Sequence, residues 1–229
     1  MPGTSPRAYS PMIRPLSVFW RGIRATWDDL LLLGLLSFAW WVCMLFVIPG
    51  PPATAGLYLV ANRIAKGERI GFDVFKEGFV TYFWRSLVVG LIAAALLFMF
   101  VTGFLFYLDP PPEFPDFFTL LSIVMLYLIL TWLAMQLYLF PVLVEQSISL
   151  GAIFRNALFI AFASPVYTLI LLVLLGLCTI GSVLFPILLV LVLPGLVAVV
   201  SSIALQDRLA HIRERMSRQA PTDGVGSRE

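Results

Sequence analysis

Long apolar runs alternate along the chain with shorter segments in which aromatic and charged residues recur at helical spacing. Leu30 to Ile48 is the first apolar run and has the length of a membrane-spanning helix. Leu87 to Leu108, Phe117 to Phe140, Val166 to Ile180 and Ile187 to Leu205 continue the series. Ahead of the first run, Leu16, Phe19, Trp20, Ile23, Trp27 and Leu30 form an apolar stripe, with Arg21, Arg24 and Asp28 on other faces. Phe72, Phe75, Phe79, Tyr82 and Phe83 form a second stripe, beside Asp73, Lys76, Glu77 and Arg85. Stripes of this kind predict amphipathic helices lying in the headgroup region. Gln146 to Ala163 predicts a third connecting helix, marked only by Arg155 and Asn156. Proline punctuates the rest. Asp109 to Asp116 holds four prolines, which supply no N–H and clash with a preceding helical turn, so a stiff acidic loop is expected there. Phe140 is expected to end its helix before Pro141, and Ser164-Pro165 and Gly181-Ser182 with Pro186 mark further turns. Pro194-Gly195 should bend the last span, with neighbouring helices or water satisfying the freed carbonyl.

One further stretch, Pro49 to Arg63, decides the arrangement of the others. From Pro51 to Ala65 there are 15 residues, so a helix there reaches only about 22 Å at the usual rise. A hydrocarbon core is roughly 30 Å thick. The mismatch costs fractions of a kcal/mol per Å and is eased by thinning and by snorkelling of Arg63 and Lys66. Charge argues for the crossing. Counting it places all 15 Lys and Arg on one side, leaving only Asp109, Glu113 and Asp116 on the other. Without it, Arg7, Arg14, Arg21 and Arg24 fall outside, against the positive-inside bias. A deep re-entrant loop would give the same topology.

At 60% hydrophobic and 12% charged, the 229-residue chain is too apolar for a soluble domain. The expected fold is therefore an all-α membrane protein with six membrane-crossing helices in three hairpins and amphipathic interfacial helices between them. The spans are expected at about 30–48, 51–65, 87–108, 117–140, 166–180 and 187–205, within one membrane domain over 16–206. Residues 1–15 are expected to be a disordered tail and 207–229 a basic tail, both termini cytoplasmic. Leu30 to Ile48 is a poor cleaved signal, because its charged lead is 29 residues long and its apolar run exceeds the usual h-region of about 7–15.

A weak recurrence runs through this layout. Val18-Phe19-x-x-Gly22-Ile23 returns as Val74-Phe75-x-x-Gly78-Phe79 and as Ile153-Phe154-x-x-Ala157-Leu158. Each copy precedes a span, an outer turn and a returning span, which suggests three units of interfacial helix plus hairpin.

Candidate chemistry is sparse. His211, the single histidine, stands beside Arg208, Arg213 and Arg215 and reads as a solvated surface residue. Cys43 and Cys178 fall within spans and read as packing. No spacing of His, Cys, Asp or Glu suggests a metal or cofactor site, and the tail's five arginines read as orientation signals that touch anionic lipid, not nucleic acid. Polar residues at membrane depth are functional candidates by default. They are Asn62, Arg63, Thr131 and Gln136, with interhelical hydrogen bonding as the plainer role for Asn62 and Gln136. Glu145 and Arg155 are a candidate structural pair.

Ile48-Pro49-Gly50-Pro51-Pro52-Ala53-Thr54-Ala55-Gly56-Leu57-Tyr58, followed by Arg63, Lys66-Gly67-Glu68 and Phe75-Lys76-x-x-Phe79, resembles the YesL-like family of small bacterial membrane proteins. Phe140-Pro141, Phe154-Arg155-Asn156-Ala157-Leu158 and Ser164-Pro165-x-x-Thr168-Leu169 look like that family's second signature. The resemblance implies a multi-pass protein of the bacterial plasma membrane, often associated with carbohydrate uptake, and carries no active-site residues. The expected function is a non-enzymatic accessory or scaffold component of a transport or sensing complex, in contact with transport subunits or with copies of itself. The alternative is a small-solute carrier or channel using Asn62, Thr131 and Gln136.

Overall fold

The computed structural model describes residues 13–108, 114–146 and 148–219. The expectations for the tail at 1–12, for the proline loop at 109–113 and for 220–229 lie outside the described residues. These described residues form ten helices, in order α1 (Ile13–Asp28), α2 (Leu30–Leu45), α3 (Gly50–Lys66), α4 (Phe72–Thr81), α5 (Phe83–Tyr107), α6 (Pro115–Glu145), α7 (Leu150–Ala163), α8 (Pro165–Val183), α9 (Pro186–Leu191) and α10 (Leu193–Gln219). No strand occurs among the described residues. Among the described residues four helices are long and apolar enough to cross a membrane: α5, α6, α8 and the Leu193–His211 part of α10. A fifth arises if α1 and α2, bent by 93° at Asp29, count as one broken span. At 16 and 17 residues, α2 and α3 fall short of that length.

α3 is nevertheless the centre of the molecule. It touches α2, α4, α5, α6 and α10, and Ala53, Ala55, Val60 and Ala61 have no exposed surface. Its small residues explain this. Lipid tails are as apolar as leucine, so association inside a membrane depends on close backbone approach, which glycine and alanine permit. A Cβ on Gly78 of α4 would stand 2.8 Å from the Cα of Gly56 in α3. One on Gly90 of α5 would stand 2.6 Å from the Pro51 ring. Pro51 and Pro52 enter the first turn of α3, where their missing N–H groups cost nothing. Gly67 ends the helix in the left-handed conformation, at φ 71°, returning its N–H to the last carbonyls.

The contacts form a three-part cycle. Helices α3, α6 and α10 touch one another at the centre. Each carries an amphipathic helix: α4 lies on α3, α7 on α6 and α1 on α10. Each also touches the apolar helix that follows that amphipathic one, pairing α3 with α5, α6 with α8 and α10 with α2. The first helix of the chain thus closes the ring on the last. The recurring sequence pattern lies at these crossings: Val18, Val74 and Ile153 are buried, as are Gly22, Gly78 and Ala157 four residues on. Gly22 meets Val200 of α10, and Gly78 meets Gly56 of α3.

Several sequence expectations change in detail. The buried seam of α1 is Val18, Gly22 and Thr26, while Leu16, Trp20 and Trp27 are exposed. Small residues win the protein-facing side because they let helices approach, and large rings are left for hydrocarbon and headgroups. Pro141 does not end its helix: α6 continues through it to Glu145. Proline removes one N–H, and in a helix packed on three sides that single loss is tolerated. The last apolar stretch breaks at Val192, ahead of Pro194, into α9 and α10. The group that a neighbouring helix takes up at this break is an N–H and not the expected carbonyl: Gly195 N–H donates 3.1 Å to the Ser37 hydroxyl of α2. The connecting helix expected from Gln146 starts at Leu150, and α10 stays helical to Gln219, through the first half of the expected basic tail.

Candidate functional site

Two polar features lie at different levels of the central helices. The first joins the C-terminal end of α3, the end of α6 and the mid-part of α10. Asn62 donates from Nδ2 to Glu145 Oε2 at 2.7 Å and accepts from Gln206 Nε2 at 2.8 Å. Lys66, one helical turn beyond Asn62, reaches the same Glu145 oxygen at 2.7 Å. Asn62 is buried, whereas the Lys66 and Glu145 side chains are 37% and 19% exposed, so the knot grades from dry to wet. Each of the three central helices ends its apolar run on a polar side chain, and Asn62 of α3 bonds to both Glu145 of α6 and Gln206 of α10. Paired polar groups of this kind avoid the cost of stranding any one of them.

Around this knot, further polar contacts tie the amphipathic helices to the ends of the central ones. Arg63 Nη2 meets Glu77 Oε2 of α4 at 2.8 Å. Tyr82 donates to the Val144 carbonyl at 3.1 Å, and Arg85 to the Ile148 carbonyl. Arg208 donates to Ser164 Oγ at 2.8 Å, and its guanidinium lies 3.6 Å from the centre of the Tyr167 ring. The expected Glu145–Arg155 pair is not formed. Glu145 is taken by Asn62 and Lys66, and Arg155 sits exposed on α7. Spacing along the chain could not reveal Lys66 as the partner, since 79 residues separate the two.

The second feature is a cavity of about 880 Å³ with walls from α2, α3, α5, α6, α8 and α10. Apolar side chains make up most of its lining, with Trp40, Thr54, Tyr58, Gln136 and Thr179 as its polar members. Trp40 Nε1 donates to Thr54 Oγ1 at 2.9 Å, and Thr54 in turn donates to the Gly50 carbonyl at 3.0 Å. Tyr58 stacks on Phe140, with ring centres 5.6 Å apart. Gln136 stands nine residues before Glu145, about 13 Å up the helix from the knot. A smaller cavity of about 330 Å³, between α6, α7 and α8, is lined by Thr131 and Thr168.

The four candidate polar residues are therefore not one site. Asn62 belongs to the knot, Arg63 to the α3–α4 contact, Gln136 to the large cavity and Thr131 to the small one. Lys66 and Gln206, which complete the knot, escaped the sequence reading because both look like boundary residues. Among the described residues no group of three or more His, Cys, Asp or Glu is placed to hold a metal ion. Cys43 and Cys178 are free thiols, on α2 and α8.

No curated protein and no solved structure matches the chain. Residues 33–109, about a third of its length and including the stretch from Ile48 to Phe79, match the model of a family described as "Protein of unknown function, DUF624", which is consistent with the YesL-like resemblance.

Proposed function

We propose that the protein is a non-enzymatic integral membrane component that serves as an accessory or scaffold in a transport or sensing complex. The observation that carries this reading is the unpacked flank of α5 and α6. The buried residues of α5 end at Ala93, and those of α6, apart from Ser122, begin at Trp132. Beyond them Phe98, Leu105, Phe106, Phe117, Leu120 and Ile123 are all more than half exposed. At 31 residues α6 is about 46 Å long, against about 24 Å for α2. The distal halves of α5 and α6 therefore extend past the packed body as a two-helix arm suited to partner helices. Carbohydrate uptake as the setting rests on the YesL-like resemblance.

In this reading the chain crosses a bacterial plasma membrane six times, in three hairpins, with α2 and α3 as a short pair and both termini cytoplasmic. The one-sided distribution of Lys and Arg and the cyclic contacts of α3, α6 and α10 support it. Purification of the tagged chain in mild detergent, with crosslinkers placed at Leu105 and Leu120, tests the function. Recovery of transport or sensing subunits crosslinked to the arm is expected. A monomer without partners under every growth condition refutes it.

A small-solute carrier is the second reading, favoured by Gln136 in the wall of the large cavity. It predicts flux in reconstituted vesicles that Gln136→Leu abolishes; no flux of any sugar or ion removes it.

A further inference from the structure

We propose that the large cavity is a binding site for one neutral, single-chain amphiphile, with its hydrocarbon against the apolar walls and its hydrogen-bonding group on the Gln136 amide. The inference does not depend on the accessory reading, only on the membrane setting of the helices. About 880 Å³ lies within the range of roughly 300–1,000 Å³ typical of small-molecule sites, and such sites are mostly apolar with a few placed polar groups.

The polar inventory then narrows the ligand. No Asp, Glu, Lys, Arg or His lines the cavity, so a charged ligand would lose its hydration without gaining a counter-charge. The Trp40 N–H is engaged with Thr54, the Thr54 and Thr179 hydroxyls donate to carbonyls of their own helices, and the Tyr58 hydroxyl is directed at Ser201. Gln136 makes no hydrogen bond among the described residues, yet its amide offers both donors and an acceptor. One free amide matches one hydroxyl or carbonyl. A sugar would leave several hydroxyls unmatched, each at a cost. Depth separates the ligand from ordinary phospholipid. Gln136 lies about 13 Å from the knot at the helix ends, near the middle of a core roughly 30 Å thick. A phospholipid keeps its polar groups at the surface and cannot bring them there, whereas a single chain bearing a hydroxyl can sink to that level.

Trp40 lines the cavity and reports on its contents. In the full chain, Trp20, Trp27, Trp41, Trp84 and Trp132 are replaced by Phe, and the protein is placed in phosphatidylcholine nanodiscs. The probes are a dibrominated eighteen-carbon alcohol, the matching dibrominated alkane and a dibrominated phosphatidylcholine. Quenching of Trp40 by the alcohol should saturate near one molecule per protein, and Gln136→Leu should weaken it by about tenfold while leaving the alkane unchanged. Gly176→Phe is the plug. A Cβ on Gly176 meets no atom within 4 Å, so the ring can enter the cavity without a clash at its root. It should abolish saturable quenching by both alcohol and alkane. Quenching that rises in proportion to each probe alike, or an alcohol affinity that Gln136→Leu does not change, overturns the proposal. Native mass spectrometry of the chain with all its tryptophans gives the same answer independently: one alcohol retained, and none in Gly176→Phe.

Discussion

Replacing Asn62 by leucine asks whether the knot between α3, α6 and α10 is structural or a place where solute binds. The substitution keeps the side chain's size and removes two hydrogen bonds, one to the Glu145 carboxylate at 2.7 Å and one from Gln206 at 2.8 Å. A bond to a charged group contributes about 1.5–3 kcal/mol and a neutral one about 0.5–1.5. Two facts pull the total down. Glu145 retains Lys66, which is 37% exposed and so shares its charge with water. Interhelical hydrogen bonds measured inside membranes average only about 0.6 kcal/mol. The expected loss is therefore about 2 kcal/mol, a factor of about 30 in the ratio of folded to unfolded protein. Reversible unfolding in mixed micelles, followed by circular dichroism, measures it. Gln206→Leu should cost about 1 kcal/mol, since it removes one neutral bond but strands the Asn62 carbonyl. The double variant Asn62→Leu with Glu145→Gln should fall short of the sum of its singles by at least 0.5 kcal/mol, because the two groups are bonded to each other. Pairing Asn62→Leu with Gln136→Leu, about 13 Å away along the bundle, should be additive. If Asn62→Leu unfolds like the parent within 0.5 kcal/mol, the knot is not holding the central helices together.

Other consequences are as direct. Gly78→Leu must push α4 away from α3, because its Cβ would stand 2.8 Å from the Gly56 backbone and 3.0 Å from Leu59; a loss of about 1–3 kcal/mol is expected in the same assay. Gly151→Ala, in a helix and with no atom within 4 Å of the new Cβ, should instead gain about 0.5–1 kcal/mol. Ser37→Ala should cost about 1–3 kcal/mol, since it leaves the buried Gly195 N–H without an acceptor at the break between α9 and α10. For sidedness, cysteines placed at Ser5, Pro112 and Val225 in a chain with Cys43 and Cys178 changed to serine can be labelled with an impermeant maleimide. In intact cells only position 112 should react, and labelling at position 5 would mean that α3 does not return the chain to the cytosol.

The long apolar helices and most of the turns between them were legible in the sequence because they depend on local rules. A run of apolar residues has one stable state in hydrocarbon, and proline and glycine punctuate it wherever they fall. Hence α5, α6 and α8 lie within a few residues of their expected places, and α3 begins and ends within one residue of the expected 51–65. Boundaries failed where a neighbour intervened, as when α6 ran through Pro141 and Ser37 supported the break before α10. The faces of the amphipathic helices were harder to read. Aromatic stripes dominate the pattern of α1, yet Val18, Gly22 and Thr26 make its contact, since hydropathy does not distinguish lipid from protein as the buried surroundings. The site was the least legible part. Asn62 and Gln206 stand 144 positions apart in the sequence, and with Lys66 and Glu145 they become one network only because the ends of α3 and α6 converge on the middle of α10. Gln136, identical in kind to Gln206, faces a cavity instead of a partner, a difference fixed entirely by where the surrounding helices leave room.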